Sequence, residues 1–381
     1  MELRKALNTL LAQAGCRHDP ATGSISTPIY QTASFAHPAL GQSTGFDYSR
    51  TSNPTRLALE ETLAAIEGGH RAFAFASGLA AIDCLLRVFS PGDRLVVTED
   101  LYGGTFRLFE KVFRPLGFDA LYVDTSDLAA VETALAGARV KGVFVESPTN
   151  PLLKIADLRA IAALAKARGA WTIVDNTFFT PCLQRPLDQG ADLVVYSATK
   201  YLAGHNDVVA GAVVARTPEL SEKIGFFQNA VGGVLGPQDS WLVLRGLKTL
   251  ALRIARQQDN AQAVATWLST HPHVRRVYYP GLPGHPGGEI LLREKSGRGG
   301  MISFEIDDAS RVPAILSGTK VFLFAESLGG VESLITYPAV QTHADLSEGT
   351  RQRLGIHDRL LRLSIGIEDP QDLIRDLENV L

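Results

Sequence analysis

Cysteine is scarce in this sequence: there are three, Cys16, Cys84 and Cys182, and no two form a C-x-x-C pair. A scaffold stapled by disulfides is therefore not expected; reduced thiols serving as small core residues in a cytoplasmic protein are. No run of Lys or Arg occurs, and the formal net charge is −3. A nucleic-acid partner normally needs a basic stripe, so none is expected. No apolar stretch approaches the length that spans a bilayer, which argues against a membrane partner. Residues 1–15, with Glu2, Arg4 and Lys5, lack the apolar region and cleavage pattern of a secretion signal. The nine histidines include no H-E-x-x-H, so no metal site is expected. No G-x-G-x-x-G, internal repeat or low-complexity segment is found.

What is present is ample material for a core. The 381 residues are 45% hydrophobic and 20% charged, a length that suits two domains. Residues 1–60 are rich in Thr, Ser, Gly and Pro with little periodicity and read as an extended arm. From Arg71 onward, short β-branched or aromatic runs recur at 72–75, 94–97, 120–123, 142–145, 171–174, 192–196 and 211–214. Helical stretches such as 158–167 separate the earlier ones. That alternation predicts a mostly parallel sheet covered on both faces. Residues 218–271 read as helix, interrupted at 232–237. A second unit follows, with strands near 276–279, 301–306 and 360–367 and helices near 311–316 and 370–380. The expected division is an arm over 1–60, a main domain over 61–245 and a smaller C-terminal α/β domain over 246–381.

In such sheets ligands bind beyond the carboxyl ends of the strands. The residues there form a dense polar set: Ser77-Gly78, residues 99–102, residues 146–150, Asp175-Asn176 and residues 197–200. Lys200 ends a buried strand, where desolvation would lower its pKa and make the amine nucleophilic. Taken alone, a surface lysine that has left the strand is the simpler reading. Asp175 closes another strand, where a carboxylate can keep a pyridinium nitrogen protonated; a turn-capping Asp fits equally. Ser77-Gly78-Leu79 opens a helix and suits a phosphate, although an ordinary Ser N-cap looks the same. Ser197 and Thr199 can add hydroxyls to that phosphate. Tyr102 can stack on an aromatic ring or simply fill core. Arg362 lies inside an apolar strand, where it needs a partner: a substrate carboxylate or an internal ion pair.

The order of these residues is more telling than any one of them. Residues 48–55 (YSRTSNPT), 75–81 (FASGLAA), 100–105 (DLYGGT), 146–151 (ESPTNP), 174–177 (VDNT) and above all 197–205 (SATKYLAGH) resemble the Cys/Met-metabolism family of pyridoxal-phosphate enzymes. The likeness continues through Gln228-Asn229, residues 245–250, residues 326–330 and Arg362, and so covers essentially the whole chain. It implies an aspartate-aminotransferase-like fold (fold type I), with a seven-stranded, mostly parallel sheet. It implies pyridoxal 5'-phosphate as cofactor, held by Lys200 as a Schiff base, with Asp175 on the pyridine nitrogen and Tyr102 on the ring. Ser77, Gly78, Leu79, Ser197 and Thr199 would hold the phosphate, joined by Tyr48 and Arg50 from a neighbouring subunit. Asn150, Asn229, Glu326, Ser327 and Arg362 would meet the substrate. A homotetramer built from two dimers is implied as well.

The resemblance also implies that Lys200 shuttles protons, in chemistry at the γ-carbon of a small amino acid. Residues 326–330 (ESLGG) look like the γ-acting members of the family, whereas many β-lyases carry an aromatic there. Gly104 stands where methionine γ-lyases carry cysteine. Gln341-Thr342-His343-Ala344, which departs from the commoner Met-Thr-His-Ala, resembles the bacterial cystathionine γ-synthases that also act as O-acetylhomoserine thiol-lyases. The expectation is therefore γ-replacement on an O-acylhomoserine, ahead of a γ-lyase and further ahead of a β-lyase. Tyr196 and Lys200 also spell the Y-x-x-x-K of short-chain dehydrogenases, but the Gly-rich dinucleotide turn that reading requires is missing.

Overall fold

In the computed structural model, which describes residues 5–15, 18–344 and 346–381, the seven apolar runs form a single sheet. Cys16 lies outside the described residues; Cys84 is buried and Cys182 half-buried. The strands are β1 (Arg71–Phe75), β2 (Arg94–Thr98), β3 (Asp119–Val123), β4 (Val140–Glu146), β5 (Trp171–Asp175), β6 (Leu193–Tyr196) and β7 (Gly211–Ala215). Their order is β1-β7-β6-β5-β4-β2-β3, and β7 alone runs against the rest.

Successive side chains along each strand point to opposite faces, so the sheet has two cores. Ala74, Val143, Val174, Val194 and Val214 belong to one, while Phe73, Phe144, Ile173, Val195 and Val213 belong to the other. Burial on both faces explains why these strands read as continuous apolar runs. The covering helices show the complementary pattern. In Leu158–Ala167 the residues Leu158, Ile161, Ala162 and Ala165 are buried, and Asp157 caps the first turn by accepting from the Ala160 N–H.

The predicted helical stretch is three helices, Pro218–Val231, Pro237–Leu247 and Leu250–Leu268, and the first ends at Gly232 with φ +82°. The second sheet contains β8 (Val274–Tyr278), β9 (Met301–Ile306), β10 (Leu323–Phe324), β11 (Leu334–Thr336) and β12 (Leu360–Ser364), in the order β10-β11-β12-β9-β8. Leu247, Leu250 and Ile254 join the core of the first sheet, so buried packing runs straight across residue 245. Residues Leu7–Ala12 form a helix that sinks Leu11 into that same core, because Leu11 and nearby Ala14 find an apolar seat there.

Candidate active site

The carboxyl ends of β1, β4, β5 and β6 open on one cleft of about 400 Å³. Its wall includes Ser77, Gly78, Leu79, Tyr102, Asn150, Asp175, Ser197, Thr199, Lys200, Glu326, Ser327 and Arg362. Residues scattered over nearly three hundred positions of sequence are thus brought together by the sheet and by the loop that follows β10.

At one end the helix Gly78–Leu86 points its N-terminus into the site. Ser77 Oγ accepts from the Ala80 N–H at 3.0 Å. The first N–H groups of any helix lack intrahelical acceptors, so those of Gly78 and Leu79 remain for a ligand. A Cβ at Gly78 would stand 3.0 Å from the Ser197 Cβ, so close an approach favours glycine. Thr199 Oγ1 is partly committed, donating to the Ala210 carbonyl at 3.1 Å and accepting its N–H at 2.9 Å.

Asp175, the last residue of β5, sits on the cleft floor. Its carboxyl accepts from the Thr177 N–H at 3.0 Å, and burial raises its pKa. No cationic side chain pairs with it among the described residues. An enclosed carboxylate without a cation fits a protonated ring nitrogen. Beside it Glu146 is buried, held well above the usual carboxylate range first by burial and then by Asp175. Glu146 accepts the Tyr102 N–H at 3.1 Å and so anchors the Tyr102 loop to β4.

Lys200 reaches across to Ser327, donating to Oγ at 2.7 Å. Burial, with help from the Arg362 charge, brings the amine down to about 8. Ser327 has φ +91°, a conformation that costs a residue with a side chain about 1–3 kcal/mol. That backbone turn lets its carbonyl accept from Arg362 at 3.2 Å while its hydroxyl faces Lys200. Arg362 is buried, and burial brings it down to about 10. Its Nη1 donates to Asn150 Oδ1 at 2.8 Å, and its Nη2 reaches Thr336 Oγ1 at 3.3 Å. Its Nε is buried without a protein partner among the described residues, which suits an incoming carboxylate.

Three expected site residues lie outside the cleft of their own chain. Arg50 donates to the Asn229 carbonyl at 2.6 Å and to Asn229 Oδ1 at 3.1 Å, and its guanidinium lies 5.6 Å from the Tyr48 ring. Asn229 therefore sits with the arm residues Tyr48 and Arg50, away from the cleft of its own chain. Conversely, the cleft contains Thr105, Glu146, Thr177, Phe178, Val209 and Thr342, which the sequence reading left unassigned. Thr105, Glu146, Thr177 and Thr342 sit inside motifs already singled out; Phe178 and Val209 carried no such signal. The dehydrogenase pairing is not assembled. The Tyr196 hydroxyl accepts from Asn176 at 2.8 Å and donates to Glu67 in the interior, away from Lys200.

A helix N-terminus suited to a phosphate, an enclosed carboxylate and a desolvated lysine at the edge of a mostly parallel sheet fit a fold type I pyridoxal-phosphate enzyme. The comparisons agree. The model of the Cys/Met metabolism PLP-dependent enzymes matches residues 8–381. The chain is 50% identical to "Cystathionine gamma-lyase" of Bacillus subtilis, over 98% of each chain. It is also 50% identical to "Cystathionine beta-lyase" of Lactococcus lactis, over 99% of each. The structure of a cystathionine gamma synthase from Xanthomonas oryzae pv. oryzae, in complex with aminoacrylate and cysteine, superposes with a TM-score of 0.96 at 45% identity, over 98% of this chain and 97% of that one. The chain belongs to the Cys/Met metabolism family of PLP-dependent enzymes.

Proposed function

We propose that this enzyme catalyses γ-replacement on an O-acylhomoserine, with cysteine or sulfide as the incoming nucleophile, giving cystathionine or homocysteine. The observation carrying this reading is a cleft with a buried guanidinium at one point and a solvent-facing carboxylate, Glu326, near both Lys200 and Arg362. Arg362 and Asn150 suit the α-carboxylate of an amino acid. Glu326 suits a second ammonium group, such as that of incoming cysteine. A cysteine at position 104, as in methionine γ-lyases, would bring its Cβ to 2.4 Å from the Tyr102 ring and displace it.

Bound cofactor supplies the electron sink that makes protons at the substrate's Cα and Cβ acidic. Lys200 Nζ carries those protons. With its pKa brought down to about 8, the amine can both take and return a proton near neutral pH. Ser327 Oγ orients it. Asp175 holds a proton on the ring nitrogen. Glu146, favouring its neutral form, adds no second negative charge there. Arg362 fixes the substrate so that its Cα faces Lys200.

The same reading includes an assembly of at least two chains, most simply a tetramer of two dimers, in the cytoplasm. The phosphate end of the cleft is lined by Ser77, Gly78, Leu79, Ser197 and Thr199, none of them charged. Lys200 and Arg362, the cations of the cleft, have other duties. Arg50, on an exposed arm, is the guanidinium that a neighbouring copy can offer to a phosphate dianion.

Two incubations decide the reaction. O-acetylhomoserine with cysteine is expected to give cystathionine, and cystathionine alone is expected to give little keto acid. Rapid keto-acid release from the second mixture, with no cystathionine in the first, would make the enzyme a lyase.

A further inference from the structure

His343 does not touch the cleft, yet it bears on two segments that do. It is wholly buried, and its Nε2 lies 2.9 Å from the Asn150 carbonyl. Its Nδ1 lies 2.8 Å from Thr342 Oγ1. A carbonyl can only accept, so Nε2 carries the proton and Nδ1 accepts from the threonine hydroxyl; the Leu101 carbonyl is a further acceptor beside the ring. Burial first, and the Arg362 charge second, bring the imidazole down to about 4, so it is neutral at working pH. The turn bearing it is itself fixed: the His343 N–H donates to the Pro338 carbonyl at 3.0 Å, and Gln341 Oε1 accepts the Tyr337 N–H at 2.8 Å.

Asn150 is the residue whose side chain holds Arg362 Nη1. We propose that His343 is a positioning residue for the substrate carboxylate: by donating Nε2–H to the backbone of Asn150 it sets the amide that aims Arg362. This rests on the reading of Arg362 and Asn150 as the carboxylate end of the site. A neutral histidine suits this role because a charged one would repel Arg362, and an apolar residue would leave the buried Asn150 carbonyl without a donor.

Glutamine and asparagine separate the two contacts. The glutamine amide nitrogen falls near Nε2 and keeps the Asn150 bond, while the shorter asparagine reaches only toward Thr342. The test measures binding to the holoenzyme by calorimetry, using L-norleucine, which has no γ leaving group, and pentylamine, which also lacks the carboxylate. Norleucine binding is expected to weaken roughly tenfold in His343→Asn and to change less than about threefold in His343→Gln, with pentylamine binding unchanged in both. In steady state the KM for O-acetylhomoserine should rise in His343→Asn while kcat changes little. Equal weakening of norleucine in the two variants, or parallel weakening of pentylamine, would overturn the proposal. Because norleucine cannot undergo γ-replacement, the binding result stands whichever reaction the enzyme runs.

Discussion

Each titratable group of the site is set by what encloses it. Lys200, Asp175, Glu146 and Arg362 are all moved toward their neutral forms, and in each the largest cause is loss of water. The neighbours then divide the roles: Arg362 helps lower Lys200, while Asp175 raises Glu146. The same physics acts behind the sheet, where buried Glu67 is pushed up to about 8, chiefly by burial. Because its folded pKa exceeds its unfolded one, Glu67 favours folding most at acid pH, and that contribution is lost as pH rises toward 8. Glu67→Gln keeps an acceptor for Tyr196 and removes the ionisation. Thermal melts between pH 5 and 9 should therefore show a flatter alkaline decline for the variant. An unchanged slope would mean that Glu67 is not buried as a neutral acid.

At the scale of elements, most of the chain is legible because strands buried on both faces are apolar throughout. The runs ending at Asp175 and Tyr196 announce both their strands and the polar residues that follow. What escaped is short or depends on packing. Strands β10 and β11 span two and three residues, too few for any periodicity to register. The helices Gly288–Glu294 and Glu348–Leu354 lie among loop-like residues. Glu146 is one of many carboxylates, and only the register that sets it opposite Asp175 on β5 makes it special. Thr342 enters the cleft from almost two hundred residues beyond Asn150. The helix Leu7–Ala12 was hidden in an arm whose composition suggests no core, although Leu11 is 1% exposed. Its burial predicts that Leu11→Ala destabilises the protein by about 2–5 kcal/mol in urea unfolding. A loss below about 0.5 kcal/mol would mean that the helix is only loosely docked.

For the molecule as a whole, the cleft end lined by Ser77, Gly78, Leu79, Ser197 and Thr199, which carries no charge of its own, is the feature that points to a second chain. If Arg50 completes a neighbour's site, Arg50→Ala and Lys200→Ala should each be nearly inactive alone. Mixed, dissociated and reassembled, they should regain activity, since a hybrid dimer contains one site with both residues intact. No recovery, in mixtures shown to exchange subunits, would place Arg50 in its own chain's site or outside catalysis. The same exchange would show whether Tyr48, stacked beside Arg50, travels with it: Tyr48→Phe should weaken the cofactor and complement in the same pattern.

Every role at the site depends on Lys200 holding the cofactor. Holoenzyme reduced with borohydride, digested and mapped by mass spectrometry should carry the added pyridoxyl phosphate on the peptide containing Lys200. Label on another lysine, or a protein that binds the cofactor and takes no label, would contradict it.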